Sequence, residues 1–231
     1  MIARKRTAGA RGHRGGRGML AGTVLAGAFA TYWFTDSAPY PYSQRWLLDL
    51  PLPFLSLGRL DKLLQVRPGE RILEIGPGTG LQSLHVAPQL GTEGRLDIVD
   101  IQPEMLEHVA RRAADRRIDT IVPTEADAHQ LPFDQGVFDA AYLVTALGEI
   151  PQPATTLAEL RRVLKPEGRL VVGEFFDRHQ VRASALVGLA DDAGLRVTRL
   201  MGPPFAYYAK LRPYRPYSAA AADDRSRLIG V

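Results

Sequence analysis

The sequence predicts a doubly wound α/β fold, with a seven-stranded, mostly parallel sheet and helices on both faces. Short apolar runs alternate with stretches of helical periodicity from residue 71 onward. A glycine-rich loop follows the first apolar run, and an aspartate ends the second. Such alternation favours right-handed crossovers and therefore a parallel sheet that is covered on both faces.

Five apolar runs are predicted as the parallel strands. They cover Arg71 to Ile75, Arg95 to Val99, Asp119 to Pro123, Phe138 to Val144 and Arg169 to Phe175. Two later runs, Leu195 to Leu200 and Phe205 to Leu211, flank the turn signal Gly202-Pro203-Pro204. Because glycine and proline mark turns, these two runs predict a hairpin at one edge of the sheet.

Helices are predicted where apolar residues recur three or four positions apart. The helix that starts at Pro103 is also favoured by proline at its first position and by Glu104 beside it. The predicted helices cover residues 44–50, 57–64, 81–88, 103–113, 153–165 and 182–193.

Charge is distributed unevenly along the 231 residues, whose net charge is +4. Residues 1–18 contain six of the 29 lysines and arginines and no acidic residue, so 23 basic and 25 acidic residues remain after residue 18 and this part is slightly acidic. We predict a basic disordered arm over 1–18, a helical N-terminal extension over 19–66, a ligand-binding domain over 67–212 and a loose tail over 213–231. The basic residues of the arm are Arg4, Lys5, Arg6, Arg11, Arg14 and Arg17.

An uncharged apolar run extends from Met19 to Phe34. It is shorter than the roughly 20 residues of a membrane-spanning helix, although a basic stretch before an apolar one is also typical of a secretory signal. We favour a helix that lies on a membrane surface or packs on the domain, and a translation start at Met19 is an alternative. The predicted location is the cytoplasm, with or without membrane association.

Cysteine is absent from the chain. This excludes a disulfide scaffold, a thiolate zinc site, an iron–sulfur cluster and a cysteine nucleophile. Carboxylates and histidines do not occur at metal-ligand spacing, so we predict no metal site.

The loop after the first strand reads Glu74-Ile75-Gly76-Pro77-Gly78-Thr79-Gly80. Its glycines allow the backbone to approach a ligand closely, at the carboxyl end of the sheet, where a helix offers free N–H groups. The dinucleotide fingerprint requires a glycine at the position of Leu81. Its absence argues against a nicotinamide dinucleotide.

Two aspartates follow successive strands. Asp100 lies 20 residues after Gly80, where a carboxylate accepts hydrogen bonds from ribose hydroxyls, although helix capping is an alternative role. Asp127, in Glu125-Ala126-Asp127-Ala128, is placed to accept from an adenine amine, or is an ordinary loop carboxylate. Together with the glycine loop they indicate a nucleoside ligand.

The stretch from Pro68 to Phe176 resembles the class I S-adenosylmethionine-dependent methyltransferases, in particular the ubiquinone/menaquinone-biosynthesis C-methyltransferases. The resemblance implies S-adenosyl-L-methionine as cosubstrate and a Rossmann-like sheet of seven strands whose last strand is antiparallel. It does not cover the first 66 or so residues or the acceptor side. The motifs that carry it are Ile72 to Gly80, Val99-Asp100-Ile101 with Met105-Leu106, Ala126-Asp127-Ala128 with Leu131-Pro132-Phe133, and Leu160 to Gly168.

The resemblance also implies roles for single residues. The glycine loop would bind the methionine and ribose portion, Asp100 the ribose and Asp127 the adenine. The implied cofactor-binding set is Glu74, Gly76, Pro77, Gly78, Thr79, Gly80, Asp100, Ile101, Asp127 and Ala128.

We therefore predict methyl transfer. A small, hydrophobic acceptor that is lipid-like or quinone-like is our hypothesis, because the apolar N-terminal segment and the stretch from Trp46 to Leu57 would suit an apolar lid over the site. No general base is predicted: Glu149 and His129 lie on the expected acceptor side, but each is also explained as an ordinary loop residue. Tyr40, Tyr42 and Tyr142 are candidates for a cation–π contact with the sulfonium, or are simply buried aromatics.

Three alternatives stay open from the sequence. They are a nicotinamide-linked oxidoreductase, a non-catalytic nucleoside-binding protein, and an RNA methyltransferase that uses the basic arm. The slightly acidic body argues against nucleic acid as a partner.

Overall fold

The computed structural model describes residues 41–47, 57–176 and 179–214. The predictions for the arm 1–18, the apolar run 19–34, Tyr40 and the tail beyond residue 214 lie outside the described residues. No helix in the described ranges is long and apolar enough to cross a membrane.

A single sheet contains seven strands in the order β3-β2-β1-β4-β5-β7-β6. The pairs among β1 to β5 are parallel, whereas β7 is antiparallel to both β5 and β6. The doubly wound, mostly parallel sheet and its edge hairpin are therefore confirmed. The strands are β1 (Arg71–Ile75), β2 (Arg95–Asp100), β3 (Ile121–Glu125), β4 (Phe138–Val144), β5 (Leu164–Phe175), β6 (Leu195–Met201) and β7 (Ala206–Pro213).

Helices cover both faces of this sheet. In chain order they are α1 (Leu57–Leu64), α2 (Ser83–Val86), α3 (Pro103–Asp115), α4 (Pro153–Val163) and α5 (Ala183–Asp192). Shorter 3-10 helices cover Tyr42–Leu47, Ala87–Leu90 and Leu147–Glu149.

The core divides into two apolar clusters, one on each face of the sheet. Leu60 of α1, Val109 of α3 and Tyr208 of β7 belong to one cluster. Leu157 of α4 and Tyr207 of β7 belong to the other. Adjacent residues of β7 reach opposite clusters because successive side chains of a strand point to opposite faces.

The strand register places the ends of β1, β2, β3 and β4 at the same edge of the sheet. Ile75, the last residue of β1, is paired with Val99 of β2 and with Leu143 of β4. Asp100 at the end of β2 is paired with Glu125 at the end of β3. The carboxyl ends of four parallel strands therefore meet at one edge, where ligands of open α/β sheets bind.

The third strand differs from its prediction by two residues. It starts at Ile121 and continues through Pro123 to Glu125, instead of ending at the proline. β3 is an edge strand, and such a strand tolerates proline because one row of its N–H groups has no ladder partner.

Other boundaries also differ. The helix predicted over 81–88 is an α-helix only at Ser83–Val86 and continues as the 3-10 helix Ala87–Leu90. The predicted helix over 153–165 ends at Val163, and β5 starts at Leu164, which pairs with Phe138. The predicted helix over 44–50 is a 3-10 helix over Tyr42–Leu47 in its described part, and residues 48–56 lie outside the description.

Candidate functional site

A cavity of about 290 Å³ lies at the carboxyl ends of β1 to β4. Its wall contains Gly76 and Gly78 after β1, Asp100 and Ile101 at the end of β2, and Ala126 to His129 after β3. Residues after β4 close the other side. Of the residues proposed from the sequence to bind the cosubstrate, those lining this cavity are Gly76, Gly78, Asp100, Ile101, Asp127 and Ala128.

Gly76 allows the backbone to turn at the floor of the cavity. Its φ is +66°, and a Cβ atom there would lie 2.8 Å from the Cβ of Ala146. Its N–H donates to the carbonyl oxygen of Val99 at 2.9 Å, which fixes the loop to β2. Both its conformation and its surroundings therefore require glycine.

The second half of the loop packs away from the cavity. A Cβ atom at Gly80 would lie 3.0 Å from both γ carbons of Val109 in α3. The buried residue Thr79 accepts a hydrogen bond at its carbonyl oxygen from Nη1 of Arg112, at 2.7 Å. Pro77, Thr79 and Gly80 do not line the cavity, and these contacts hold the loop against α3 instead.

Glu74 also lies beneath the cavity rather than in its wall. Its side chain is buried, and its Oε2 accepts a hydrogen bond from Oγ of Ser83 at 2.5 Å. Burial raises the pKa of Glu74 to about 7, and the hydrogen bond from Ser83 opposes this rise. Glu74 therefore connects β1 to the start of α2.

Asp100 ends β2 in the cavity wall. Its Oδ1 accepts a hydrogen bond from the backbone N–H of Gln102 at 2.9 Å. Burial raises the pKa of this carboxyl, and backbone hydrogen bonds from Gln102 and Ile101 oppose the rise. The side chain of the next residue, Ile101, is half exposed and gives the wall an apolar surface.

Asp127 and His129 form the wall after β3. Oδ1 of Asp127 accepts a hydrogen bond from the backbone N–H of His129 and contacts Nδ1 of the same histidine, both at 2.8 Å. The other ring nitrogen of His129, Nε2, contacts the carbonyl oxygen of Pro151 on the opposite side of the cavity.

The far end of the cavity is formed by the segment after β4, which includes Thr145, Ala146, Glu149 and Ile150. Thr145 has a φ of +57°, which is rare for a β-branched residue. Its N–H donates to the carbonyl oxygen of Gly173 in β5 at 2.7 Å, which holds this conformation. Unusual backbone geometry of this kind is concentrated at functional sites.

The described tyrosines do not reach the cavity wall. Tyr142 is fully buried in the sheet, where its hydroxyl lies beside the carboxyl group of Glu74. Tyr42 packs edge-on against His108 of α3, with ring centres 6.2 Å apart. The structure therefore gives no support to a cation–π role for either ring.

Several wall residues have no counterpart in the sequence predictions. Gln102 and Met105 come shortly after Asp100 in the sequence. Their closeness to a predicted site residue is the signal that could have identified them. Thr145, Ile150 and Pro151 follow a strand end, but no residue type in this segment marks them as wall residues.

The ionisable groups in the described cavity wall are Asp100, Asp127, Glu149 and His129. Three carboxyl groups and one imidazole favour a cationic ligand. No group of three histidine or acidic side chains within the described ranges is arranged to hold a metal ion.

Comparison with known proteins identifies one matching family. Residues 72–168 match the model of the family described as "Methyltransferase domain". A protein of Teredinibacter turnerae described as "Ubiquinone/menaquinone biosynthesis C-methyltransferase UbiE" is 36% identical over 171 residues, which cover 74% of this chain and 68% of that protein. The match covers 68% of that protein but 45% of a relative from Paraburkholderia phytofirmans with the same description, and 32% of a Streptomyces fradiae protein described as "Uncharacterized 37.1 kDa protein in transposon TN4556".

Solved structures share the fold. A protein described as a SAM dependent methyltransferase from Aquifex aeolicus has a TM-score of 0.69 at 20% identity, over 74% of this chain and 98% of that one. The [4+2]-cyclase SpnF has a TM-score of 0.60 at 17% identity, over 85% of this chain and 93% of that one. Because these identities are low, the likeness shows the fold and does not determine the reaction.

Proposed function

The chain belongs to the class I S-adenosylmethionine-dependent methyltransferases, and we propose that it transfers the methyl group of this cosubstrate to a small, hydrophobic acceptor. The observation that carries the proposal is that Gly76, Gly78, Asp100 and Asp127 line one cavity. These are the positions at which the family pattern requires close backbone approach and two acceptors.

The residues of the wall fit the cosubstrate. Asp100 is a mostly buried acceptor at the end of β2, suited to ribose hydroxyls, and Ile101 offers an apolar surface for a flat base. Asp127 is suited to accept from the adenine amine, and Gly76 and Gly78 leave room beside the methionine portion. The cluster of carboxyl groups suits a ligand that carries a sulfonium cation.

When bound, the cosubstrate supplies a methyl group that is already activated by a positive sulfur. The protein therefore needs mainly to align the acceptor with the methyl group and to exclude water, and alignment alone contributes roughly 7 to 11 kcal/mol to barrier lowering. The segment after β4, held by the contact between Thr145 and Gly173, is placed to perform this alignment.

A proton acceptor is needed if the acceptor molecule must lose a proton, as an enolisable carbon or a phenol does. Of the two sequence candidates, His129 has both ring nitrogens against oxygen atoms of the protein. Glu149 is half-buried at the far end of the cavity. Because Glu149 lies in the cavity wall beside the apolar residues of the far end, we assign it the role of proton acceptor.

The acceptor class is proposed from the wall and from the relatives. The far end contains Val144, Ala146, Ile150 and Pro151, which present apolar surface. Relatives with 36% to 42% identity are described as ubiquinone/menaquinone biosynthesis C-methyltransferases. A lipid-like or quinone-like acceptor agrees with both observations.

The proposal is tested by incubating the protein with methyl-labelled S-adenosylmethionine and fractionated cell extract, and by identifying the labelled product. Label is expected in a lipid-soluble fraction, and Glu149→Gln should lower the rate of transfer without a comparable loss of cosubstrate affinity. Label in protein or RNA would contradict the acceptor class, and binding without transfer to any fraction would contradict catalysis.

Calorimetry tests cosubstrate recognition separately. Asp100→Asn should weaken S-adenosylmethionine binding by roughly ten- to a hundredfold, because a charged acceptor for hydroxyl groups is lost. Asp192→Asn, an exposed change in α5, is the matched control and should leave affinity unchanged. Tighter binding of NADH than of S-adenosylmethionine would favour the oxidoreductase alternative.

A further inference from the structure

A short segment before α5 packs against the far end of the cavity wall. We call residues 179–182 the support segment. A Cβ atom at Gly148 would collide with the carbonyl oxygen of His179 and would lie 2.7 Å from its carbonyl carbon. Gly148 belongs to the 3-10 helix Leu147–Glu149, whose last residue lines the cavity. The support segment therefore lies directly against the backbone of the helix that carries Glu149.

Two side chains hold the middle of the support segment. Oε2 of Glu174 accepts a hydrogen bond from the backbone N–H of Val181 at 3.1 Å. The hydroxyl of Tyr207 donates to the carbonyl oxygen of the same valine at 2.6 Å. Val181 belongs to no helix or strand, so its backbone groups take these partners in place of a ladder. Both polar backbone groups of Val181 are thereby fixed.

The strand register brings the two side chains together. Glu174, next to the last residue of β5, is paired with Tyr207 of β7, and paired residues of neighbouring strands point to the same face. Only 2% of Glu174 is exposed, and Tyr207 is fully buried. Burial and the charge of Glu174 raise the pKa of Tyr207, so the hydroxyl keeps its proton and donates it to Val181.

The strand β5 holds this side of the cavity at two points. The carbonyl oxygen of Gly173 accepts from the N–H of Thr145 at 2.7 Å. The next residue, Glu174, holds Val181, which also packs against the apolar cluster on this face of the sheet. Thr145 and the 3-10 helix that follows it therefore depend on consecutive residues of one strand.

The position of this helix matters for methyl transfer. Alignment is the main contribution required of the protein, and a displacement of about 1 Å lowers a rate about a hundredfold. None of residues 179–182 lines the cavity in the described part of the chain, so the support segment acts through the helix that it contacts.

We propose that Glu174 and Tyr207 are positioning residues for the methyl acceptor. They hold Val181, and through the support segment they fix the helix that carries Glu149. This inference rests on the proposed function, which assigns that helix to the acceptor side. The residues proposed to bind the cosubstrate follow β1, β2 and β3, so cosubstrate affinity is not expected to depend on Glu174 or Tyr207.

The first measurement is the rate of label transfer by the full chain. It uses saturating methyl-labelled S-adenosylmethionine and the lipid-soluble fraction of a cell extract. Tyr207→Phe keeps the ring and removes only the hydroxyl that holds Val181. The maximum rate should fall about three- to tenfold, the effect of one neutral hydrogen bond. Calorimetric affinity for S-adenosylmethionine should stay within about twofold, whereas a general loosening of the fold would lower both quantities.

Glu174 is tested by two variants. Glu174→Gln keeps an oxygen that accepts from the N–H of Val181 and should retain the rate within about threefold. Glu174→Ala removes the acceptor and should lower the rate at least as much as Tyr207→Phe does. Equal losses in the two Glu174 variants would overturn the role of this residue. If Glu174→Ala does not fold, Glu174→Gln and Tyr207→Phe decide the question.

The matched control is Tyr208→Phe. Tyr208 is the next residue of β7, is also buried, and belongs to the apolar cluster on the opposite face of the sheet. The variant therefore loses a tyrosine hydroxyl from the same strand without touching Val181. Transfer rate and cosubstrate affinity should both be retained.

Hydrogen exchange of the ligand-free chain tests the link between the support segment and the helix without an acceptor. The amides of residues 147–150 should exchange about three- to tenfold faster in Tyr207→Phe than in the unmodified chain, and at the unmodified rate in Tyr208→Phe. Unchanged exchange in Tyr207→Phe, or a parallel loss of transfer rate and cosubstrate affinity, would refute the proposal. An equal loss of rate in Tyr208→Phe would also refute it.

The two measurements separate failure of this inference from failure of the proposed function. If the unmodified chain transfers no label to any fraction, the proposed function fails, and the role in acceptor positioning fails with it. Faster exchange of residues 147–150 in Tyr207→Phe would then still show that Tyr207 supports the helix. Transfer by the unmodified chain together with an unchanged rate in Tyr207→Phe would overturn this inference alone.

Discussion

The residues of the glycine loop have two different roles, and the sequence does not show which residue has which role. Gly76 and Gly78 line the cavity, whereas Glu74, Thr79 and Gly80 hold the loop to α2 and α3. The motif predicts the location of the loop because glycines at this spacing have few other uses. It does not predict which members face a ligand, because this depends on where α3 packs.

Glu74 provides a test at this scale, because burial raises its pKa to about 7 from 4.5. A folded-state pKa above the unfolded value means that the folded state binds more protons between these two pH values. Stability is therefore complete below about pH 4.5 and declines as pH rises to about 7. The loss is about 3 to 4 kcal/mol at most, from roughly 1.4 kcal/mol for each pH unit.

Glu74→Gln should flatten this decline, because the amide is neutral at every pH and its oxygen still accepts from Ser83. Urea unfolding between pH 4 and pH 8 measures the effect, and the variant should be more stable than the unmodified chain at pH 8. Equal slopes for the two proteins would show that Glu74 is ionised in the folded state without penalty. Ser83→Ala, which removes the donor, is expected to steepen the decline.

At the scale of elements, apolar runs and helical periodicity predicted the order of strands and helices, because burial on both faces leaves a strong pattern. Boundaries were less predictable. Pro123 continues β3 because the strand is at an edge, and edge position depends on the whole sheet order. Leu164 starts β5 directly after α4, with no turn residue between them to mark the change.

The contact between β5 and β7 gives a prediction for this scale. A Cβ atom at Gly173 would lie 2.7 Å from Cε1 of Tyr208, whose ring is fully buried. Gly173→Ala should therefore destabilise the fold by about 1 to 3 kcal/mol through overpacking. Combined with Tyr208→Leu, it should cost less than the sum of the two single changes, as measured in a double-mutant cycle.

Gly188→Ala in α5 is the matched control, because a Cβ atom there meets no atom within 4 Å. It should leave stability unchanged or raise it by up to about 1 kcal/mol, since alanine favours helix. Additive costs for Gly173→Ala and Tyr208→Leu would mean that the backbone shifts to accept the methyl group.

For the whole molecule, the sequence predicted that a nucleoside site lies where successive strands end, because parallel strands present their carboxyl ends at one edge. The proposed acceptor side could be predicted only in part: the sequence indicated Glu149, but not Thr145 or Pro151. Their positions depend on contacts with β5 and with His129. Such contacts join residues far apart in sequence and leave no local pattern.

The N-terminal arm over residues 1–18 is expected to be dispensable for binding, methyl transfer and stability. The described cavity wall extends from Ile75 to Pro151, and both apolar clusters lie within residues 60–211. The arm contains too few apolar residues to add a packed core. Deletion of residues 1–18 should therefore leave S-adenosylmethionine affinity, methyl transfer and the free energy of unfolding unchanged, measured at low and at physiological salt.

A longer deletion should behave differently. The backbone N–H of Tyr42 donates to Oε1 of Gln102, a residue of the cavity wall, at 3.3 Å. Removal of residues 1–47 should weaken cosubstrate binding about two- to fivefold, because Gln102 loses one neutral hydrogen bond. If the shorter deletion abolished transfer at low salt only, the arm would be recruiting an anionic acceptor or surface through its charge, and a small neutral acceptor would be the wrong class.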